Sequence, residues 1–376
     1  MGQVPLRNPG LEKNCCRIAP RKENKLIMNI LSYYGFDRPP FLEIGALDSA
    51  DKISMYFADR RKELSVLEGL NAWGGSFAAV LTGQDGVGKT TLLRRFLADC
   101  PLHCFIRGDD IRDLPQVENT CAEFSVYGEM RRKPISRMHE FAGKSDDVMV
   151  VVLDGQDFLK SFNVDDVAAI GEYVNSTIDS ASTFVYSSRD PIDELREAFI
   201  DPSSRLSRIF DEHIVLQPFG LSGVEDIRDL LAKRFHVDDH NRLPLTDGAL
   251  ELLEQFASGN MRELLRLTRR LLEMGYQREV SCPLTREFCI EHLVDMAKKQ
   301  IASPVEWKML EMLREHPMAV PDFTKLEGFG SERTNRRALE RLEERRFVER
   351  DHSRHGVRQE WRLTDKSVLL LSQKPH

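Results

Sequence analysis

The chain has 376 residues, enough for two or three domains with cores of their own. Acidic residues outnumber basic ones by 60 to 53, which excludes a uniformly basic nucleic-acid coat protein. With 41% hydrophobic and 30% charged residues the composition is globular, and no apolar run reaches the roughly 18 residues of a membrane span.

Residues 1–40 are polar and mildly basic and contain no apolar run of the secretory type, so they read as an N-terminal tail. The seven cysteines include adjacent Cys15 and Cys16, and Cys100 and Cys104 on either side of His103. No two C-x-x-C knuckles form, so free thiols in a reducing cytoplasm are expected rather than a zinc site. Over residues 41–220 short apolar runs alternate with longer amphipathic stretches. The runs at 77–81, 148–153, 183–186 and 213–216 predict strands, bounded by Gly, Asp or Ser and rich in Val, Ile, Leu or Phe. Several are apolar on successive residues, as strands covered on both faces are. Strand and helix in alternation imply an α/β core with a parallel sheet.

Past Pro218 the strands stop, and residues 221–302 predict an all-helical lid. One helix, over 226–235, carries Ile227, Leu230, Leu231 and Phe235 on one face. A second, capped at Thr246-Asp247, carries Leu250, Leu253 and Phe256. A third covers 260–276 with Leu264, Leu267, Leu271 and Leu272, and a fourth covers 285–300. Ala302-Ser303-Pro304 breaks the pattern. In residues 303–376 a helix bearing Trp307, Leu310 and Leu313 ends at Pro317, and a short helix carries Phe323 and Leu326. A third runs from Ser331 through Ala338, Leu339 and Leu342. Phe347-Val348 and residues 361–363 then read as a hairpin around a polar turn. Three helices and a hairpin make a winged helix-turn-helix.

Gly83, Gln84, Asp85, Gly86, Val87, Gly88, Lys89 and Thr90, with Thr91 following, fit the pattern G-x-x-x-x-G-K-[ST] between a predicted strand and a predicted helix. Glycines let successive amides turn toward phosphate oxygens, and the helix N-terminus adds partial positive charge. Lys89 suits the β- and γ-phosphates of ATP, and the Thr90 hydroxyl suits Mg²⁺. The run 150–153 ends in Asp154, whose carboxylate is placed to reach the same ion. Gly155 stands where many such ATPases carry a glutamate that polarises water. Asp157 is the better candidate base, and slow hydrolysis is expected.

These motifs resemble the AAA+ ATPases, in particular the origin-recognition initiator type and the related STAND signalling ATPases. Residues 56–64 are similar to the F-x-x-R-x-x-E-L segment that in those families packs near the adenine. Asp154-Gly155-Gln156-Asp157 resembles the D-G-x-D form of the NACHT type. Ser187-Ser188-Arg189 resembles the first sensor, with Ser188 or Arg189 as the reading group. Arg205-Leu206-Ser207-Arg208 resembles the box whose arginine reaches a neighbouring subunit's γ-phosphate, and Gly259-Asn260-Met261-Arg262 resembles the second sensor. The resemblance implies ATP and Mg²⁺ as cofactors, self-association, and a nucleotide-governed lid. The arginines also have a plainer reading as ion-paired surface residues, above all the run Arg262, Arg266, Arg269 and Arg270.

Between residues 333 and 362 stand ten arginines against six acidic residues, in an otherwise acidic chain. Ser331, Arg333, Thr334, Asn335, Arg336 and Arg337 cluster at the start of the predicted recognition helix, and Arg354 and Arg358 lie in the wing turn. That composition suits double-stranded DNA. Three functions compete: a nucleotide-dependent DNA-binding switch, a STAND-type signalling ATPase whose winged helix docks proteins, and a mobile-element or defence ATPase.

Overall fold

The computed structural model describes residues 30, 32–36, 50–58, 60–72, 77–111, 119–142, 148–155, 169, 171–173, 176, 182–188, 201, 203, 207–208, 210–219, 224–301, 303–351 and 360–373. Helices α1 (Ala50–Tyr56) and α2 (Arg61–Ala72) precede β1 (Phe77–Thr82), α3 (Lys89–Ala98) and β2 (Leu102–Arg107). Next come β3 (Cys121–Val126), β4 (Glu129–Pro134), α4 (Met138–Ala142), β5 (Met149–Asp154), β6 (Ser182–Ser187) and β7 (Glu212–Val215). The sheet order is β4-β3-β2-β5-β6-β1-β7. From β2 to β7 every pairing is parallel. Met149 to Leu153 and all of β6 are buried, as strands covered on both faces are.

The four strands expected from the sequence are β1, β5, β6 and β7. Three more were not anticipated. In β2 the apolar pattern is interrupted by His103 and closed by Arg107. β3 and β4 form an antiparallel hairpin on the sheet edge. Its two-residue turn is Tyr127-Gly128, with φ of 48° and 86°, the doubly positive geometry that twists with the strands. Tyrosine in place of the usual Asn or Asp hid the turn. Glu129 to Lys133 of β4 are all exposed, so no apolar run marks it.

Helices α5 (Val224–Phe235), α6 (Asp247–Ala257), α7 (Met261–Gln277) and α8 (Arg286–Gln300) follow. Asn260 caps α7 by accepting from the Glu263 amide, and Thr285 likewise caps α8. Thr246 sits at the N-cap of α6 but makes no side-chain cap; its hydroxyl donates to the Leu284 carbonyl instead. The chain then forms α9 (Pro304–Glu315), β8 (Met318–Ala319), α10 (Val320–Thr324), α11 (Glu332–Glu344), β9 (Val348–Asp351), β10 (Glu360–Leu363) and α12 (Asp365–Ser372). The small sheet runs β8-β10-β9, antiparallel throughout. β8 and α12 were not expected. The wing-turn residues Arg354 and Arg358 lie outside the described residues.

Two apolar clusters organise the interior. One lies under α3 between the sheet and α2, with Leu92, Leu93, Phe96, Val150 and Val152. The other is continuous from Leu230 and Leu253 of the lid helices to Leu310, Phe323, Leu339, Trp361 and Leu370 near the C-terminus. The C-terminal unit is therefore packed onto the lid helices through a shared core. Among the described residues no helix is long and apolar enough to cross a membrane.

Candidate functional site

β1 delivers the chain to a loop at residues 83–88 beside the C-terminal ends of the parallel strands, and α3 begins at Lys89 with Gly88 as its N-cap. The glycine-bearing loop thus leads straight into a helix N-terminus, whose partial positive charge attracts anions. Gly86 has φ of 76°, and a Cβ there would overlap the side-chain amide of Asn260. Glycine at this position serves both the turn and the close approach of the lid. Lys89 is 3% exposed. Its ammonium donates to the carbonyls of Gly83 at 2.5 Å and Gln84 at 3.0 Å, folded back across the loop.

Asp154 ends β5, in register with Ser187 of β6. Its two carboxylate oxygens accept from the Thr90 hydroxyl at 2.7 Å and the Ser187 hydroxyl at 2.9 Å. A carboxylate flanked by two hydroxyls is an all-oxygen donor set suited to a hard cation such as Mg²⁺. Thr90 and Asp154 are the pair expected at the ion, and Ser188 or Arg189 the expected first sensor. It is Ser187 that reaches the carboxylate, while Ser188 is buried and its amide donates to the Leu81 carbonyl. The signal was register: Ser187 closes its strand level with Asp154. The amide of Gly155 donates to the Ser187 carbonyl at 2.9 Å, and a Cβ on Gly108 would come within 2.8 Å of the Gly155 Cα. The ends of β2 and β5 are therefore drawn tightly together. Gln156, Asp157 and Arg189 lie outside the described residues.

Arg60, from the segment expected near the adenine, is buried in the left-handed region at φ 74°. Its guanidinium donates to the Gln217 carbonyl at 2.7 Å and the Val87 carbonyl at 3.4 Å, and it lies over the Phe219 ring. It ties the α1–α2 junction to the loop and to the segment between β7 and the lid.

The lid meets the loop through the start of α7. Asn260 donates to the Asp85 carbonyl at 2.9 Å, and the Arg262 guanidinium pairs with the Asp85 carboxylate at 3.2 Å. Arg262, expected as the second sensor, thus arrives at the loop, where it is engaged by an acid of the loop itself. Arg266 pairs with Glu263, and Arg269 and Arg270 share Glu273, so the rest of that run is an ion-paired helix face. Arg208 is exposed just ahead of β7 and is not part of the cluster.

One site residue was missed altogether. Arg346, immediately beyond α11, donates to the Gln84 side chain at 3.0 Å and to the Asp85 carbonyl at 2.8 Å. One arginine among ten in that stretch carries no sequence signal of such a contact.

The thiols stand apart from this site. Burial pushes Cys100 and Cys289 up to about 12 and Cys104 higher still, which makes them inert. Burial also lowers the His103 imidazole, whose Nδ1 lies 2.9 Å from the Cys100 carbonyl. Among the described residues no group of three or more His, Cys, Asp or Glu gathers to hold a metal.

The chain is similar in fold to the Walker-type ATPase paby2304 of Pyrococcus abyssi, with a TM-score of 0.51 and 13% identity over 88% of this chain and 99% of that one. It is similar too to the ORC2 protein of Aeropyrum pernix in its ADPNP–ADP complexes, with a TM-score of 0.50 and 14% identity over 83% and 92% of the two chains. No family model matches the sequence, and no curated protein matches it. The fold shared with these two proteins is a mostly parallel α/β core carrying a phosphate-type loop after its first strand and a helical lid.

Proposed function

We propose that this chain binds ATP with Mg²⁺ and acts as a nucleotide-dependent switch that engages double-stranded DNA. The observation that carries the reading is the meeting of Thr90 and Asp154 at 2.7 Å across 64 residues of sequence, at the foot of the loop that buries Lys89. Bound MgATP supplies the phosphoanhydride and the terminal charge that the chain reads. Gly83 to Thr91 hold the phosphates, with Lys89 giving up its carbonyl partners to do so. Thr90 and Asp154 hold the ion. Arg189 and Arg262 register the terminal phosphate, Arg262 by exchanging Asp85 for it. The exposed Arg208 serves a neighbouring subunit. Asp157 is the base, and with Gly155 beside it turnover is slow.

The assigned parts are a tail (residues 1–40), a core (41–220), a lid (221–302) and a winged helix (303–376), working in the cytoplasm. What supports DNA as the partner is α11. Arg333, Thr334, Arg336 and Arg337 are exposed along its first turns, whereas Ala338, Leu339 and Leu342 face the core. A second reading, in which the C-terminal unit docks a protein as in signalling or mobile-element ATPases, is favoured by the Arg346 contact, which ties that unit to the core.

A gel shift of the full chain on a duplex at low salt, with and without MgATP, separates the two. The DNA reading expects a retarded band whose midpoint moves about fivefold or more with nucleotide. Duplex left unbound under both conditions overturns it in favour of protein docking.

A further inference from the structure

Arg346 carries the C-terminal unit to the phosphate loop by hydrogen bonds. Its backbone is left-handed, φ 61°, an uncommon conformation for a residue other than glycine. Its neighbours fix it from behind. Thr364 donates to the Arg346 carbonyl at 2.8 Å, and Lys366 donates to the Arg345 carbonyl at 2.9 Å. Arg345 and Arg341 both bind the fully buried Glu306 of α9. The guanidinium is thus presented from a rigid shelf. It bonds the Gln84 side chain, the Asp85 carbonyl and, at 3.5 Å, the Ser258 carbonyl before α7. The Asp85 carbonyl also accepts from Asn260 of the lid. Core, lid and C-terminal unit therefore meet at one peptide group at the tip of the loop.

We propose that Arg346 is a positioning residue for nucleotide binding: by holding the outward-facing acceptors of Gln84 and Asp85 it pre-shapes the loop for phosphate and adds a positive charge beside it. Arg346 lies just past one end of α11 and the exposed arginines lie at the other, so the same contact fixes where that helix points. This rests on the ATP reading above and assigns the C-terminal unit a direct part in it.

The test is titration of the full chain with MgATP, comparing wild type, Arg346→Ala, Arg346→Lys, Gln84→Ala and the Gln84→Ala/Arg346→Ala double variant. Loss of a charge-assisted contact predicts about a tenfold rise in Kd for Arg346→Ala. Lysine, with the charge but not the forked geometry, recovers part of it. Gln84→Ala leaves the C-terminal unit untouched and removes one partner, so the double variant is expected to be little worse than Arg346→Ala alone, a non-additivity that general destabilisation does not produce. Tight wild-type binding with Arg346→Ala within about twofold of it, or an additive cycle, overturns this proposal and leaves the ATP reading standing. No MgATP binding by the wild type overturns both.

Discussion

Asp154 offers a replacement that separates charge from shape. In Asp154→Asn the amide oxygen can still accept from Thr90 or Ser187, so the strand end is expected to keep its geometry. What goes is the negative charge beside the proposed ion. The expected outcome is an unchanged melting temperature without ligand and nucleotide binding that no longer responds to Mg²⁺, measured by titration with and without a chelator. Lys366 gives a second residue-scale expectation. It is 4% exposed, lies over the Phe347 ring, and burial pulls its pKa down to about 8. Between about 8 and the ordinary lysine value the unfolded chain keeps a proton that the folded chain has shed, so stability from this group rises with pH across that window. Below about 8 both states are charged, and the full cost, about 3 kcal/mol, is present. Denaturation of wild type and Lys366→Met should therefore show the wild type gaining on the variant as pH is raised from about 7 to about 10. A pH-independent difference would contradict the assignment.

Among the elements, those with an apolar period were legible and those without one were not. α7 shows Leu264, Leu267, Leu271 and Leu272 on one face, and β5 is apolar without a break from Met149 to Leu153; both are visible in the sequence for the physical reason that places them in the core. β4 exposes almost every side chain and owes its existence to backbone pairing with β3. The loop itself was readable because its chemistry needs fixed residue types at fixed spacing. Arg346 was not, because its role depends on where α12 and α9 place the C-terminal unit. Glu306 illustrates that placement. In the first turn of α9 its amide donates to the Ser303 hydroxyl at 3.2 Å, while its carboxylate accepts from Arg341 at 2.9 Å and Arg345 at 3.3 Å. Removing both arginines strands a buried carboxylate and should cost about 3–5 kcal/mol. Glu306→Gln leaves two half-exposed guanidiniums that water can reach, and should cost markedly less. Urea midpoints of the two variants check the asymmetry. On α11, Arg336→Ala with Arg337→Ala should weaken duplex binding and reduce the steepness of its salt dependence by about two phosphate contacts.

For the whole molecule, the consequence of the architecture is that three parts of the chain converge on one short loop. Lys89 holds it from within, Arg60 reaches it from the α1–α2 junction, Asn260 and Arg262 from the lid, and Arg346 from the C-terminal unit. Any ligand that reorganises the loop must therefore be felt by the lid and by α11, which is what the proposed switch requires. The central claim is that this loop grips a nucleoside triphosphate with Mg²⁺. Titration calorimetry of the intact chain with MgATP, set against Lys89→Ala, tests it most directly. The account predicts saturable heat with one nucleotide per chain for the wild type and none for Lys89→Ala; equal binding by the two proteins, or no heat from either, would contradict it.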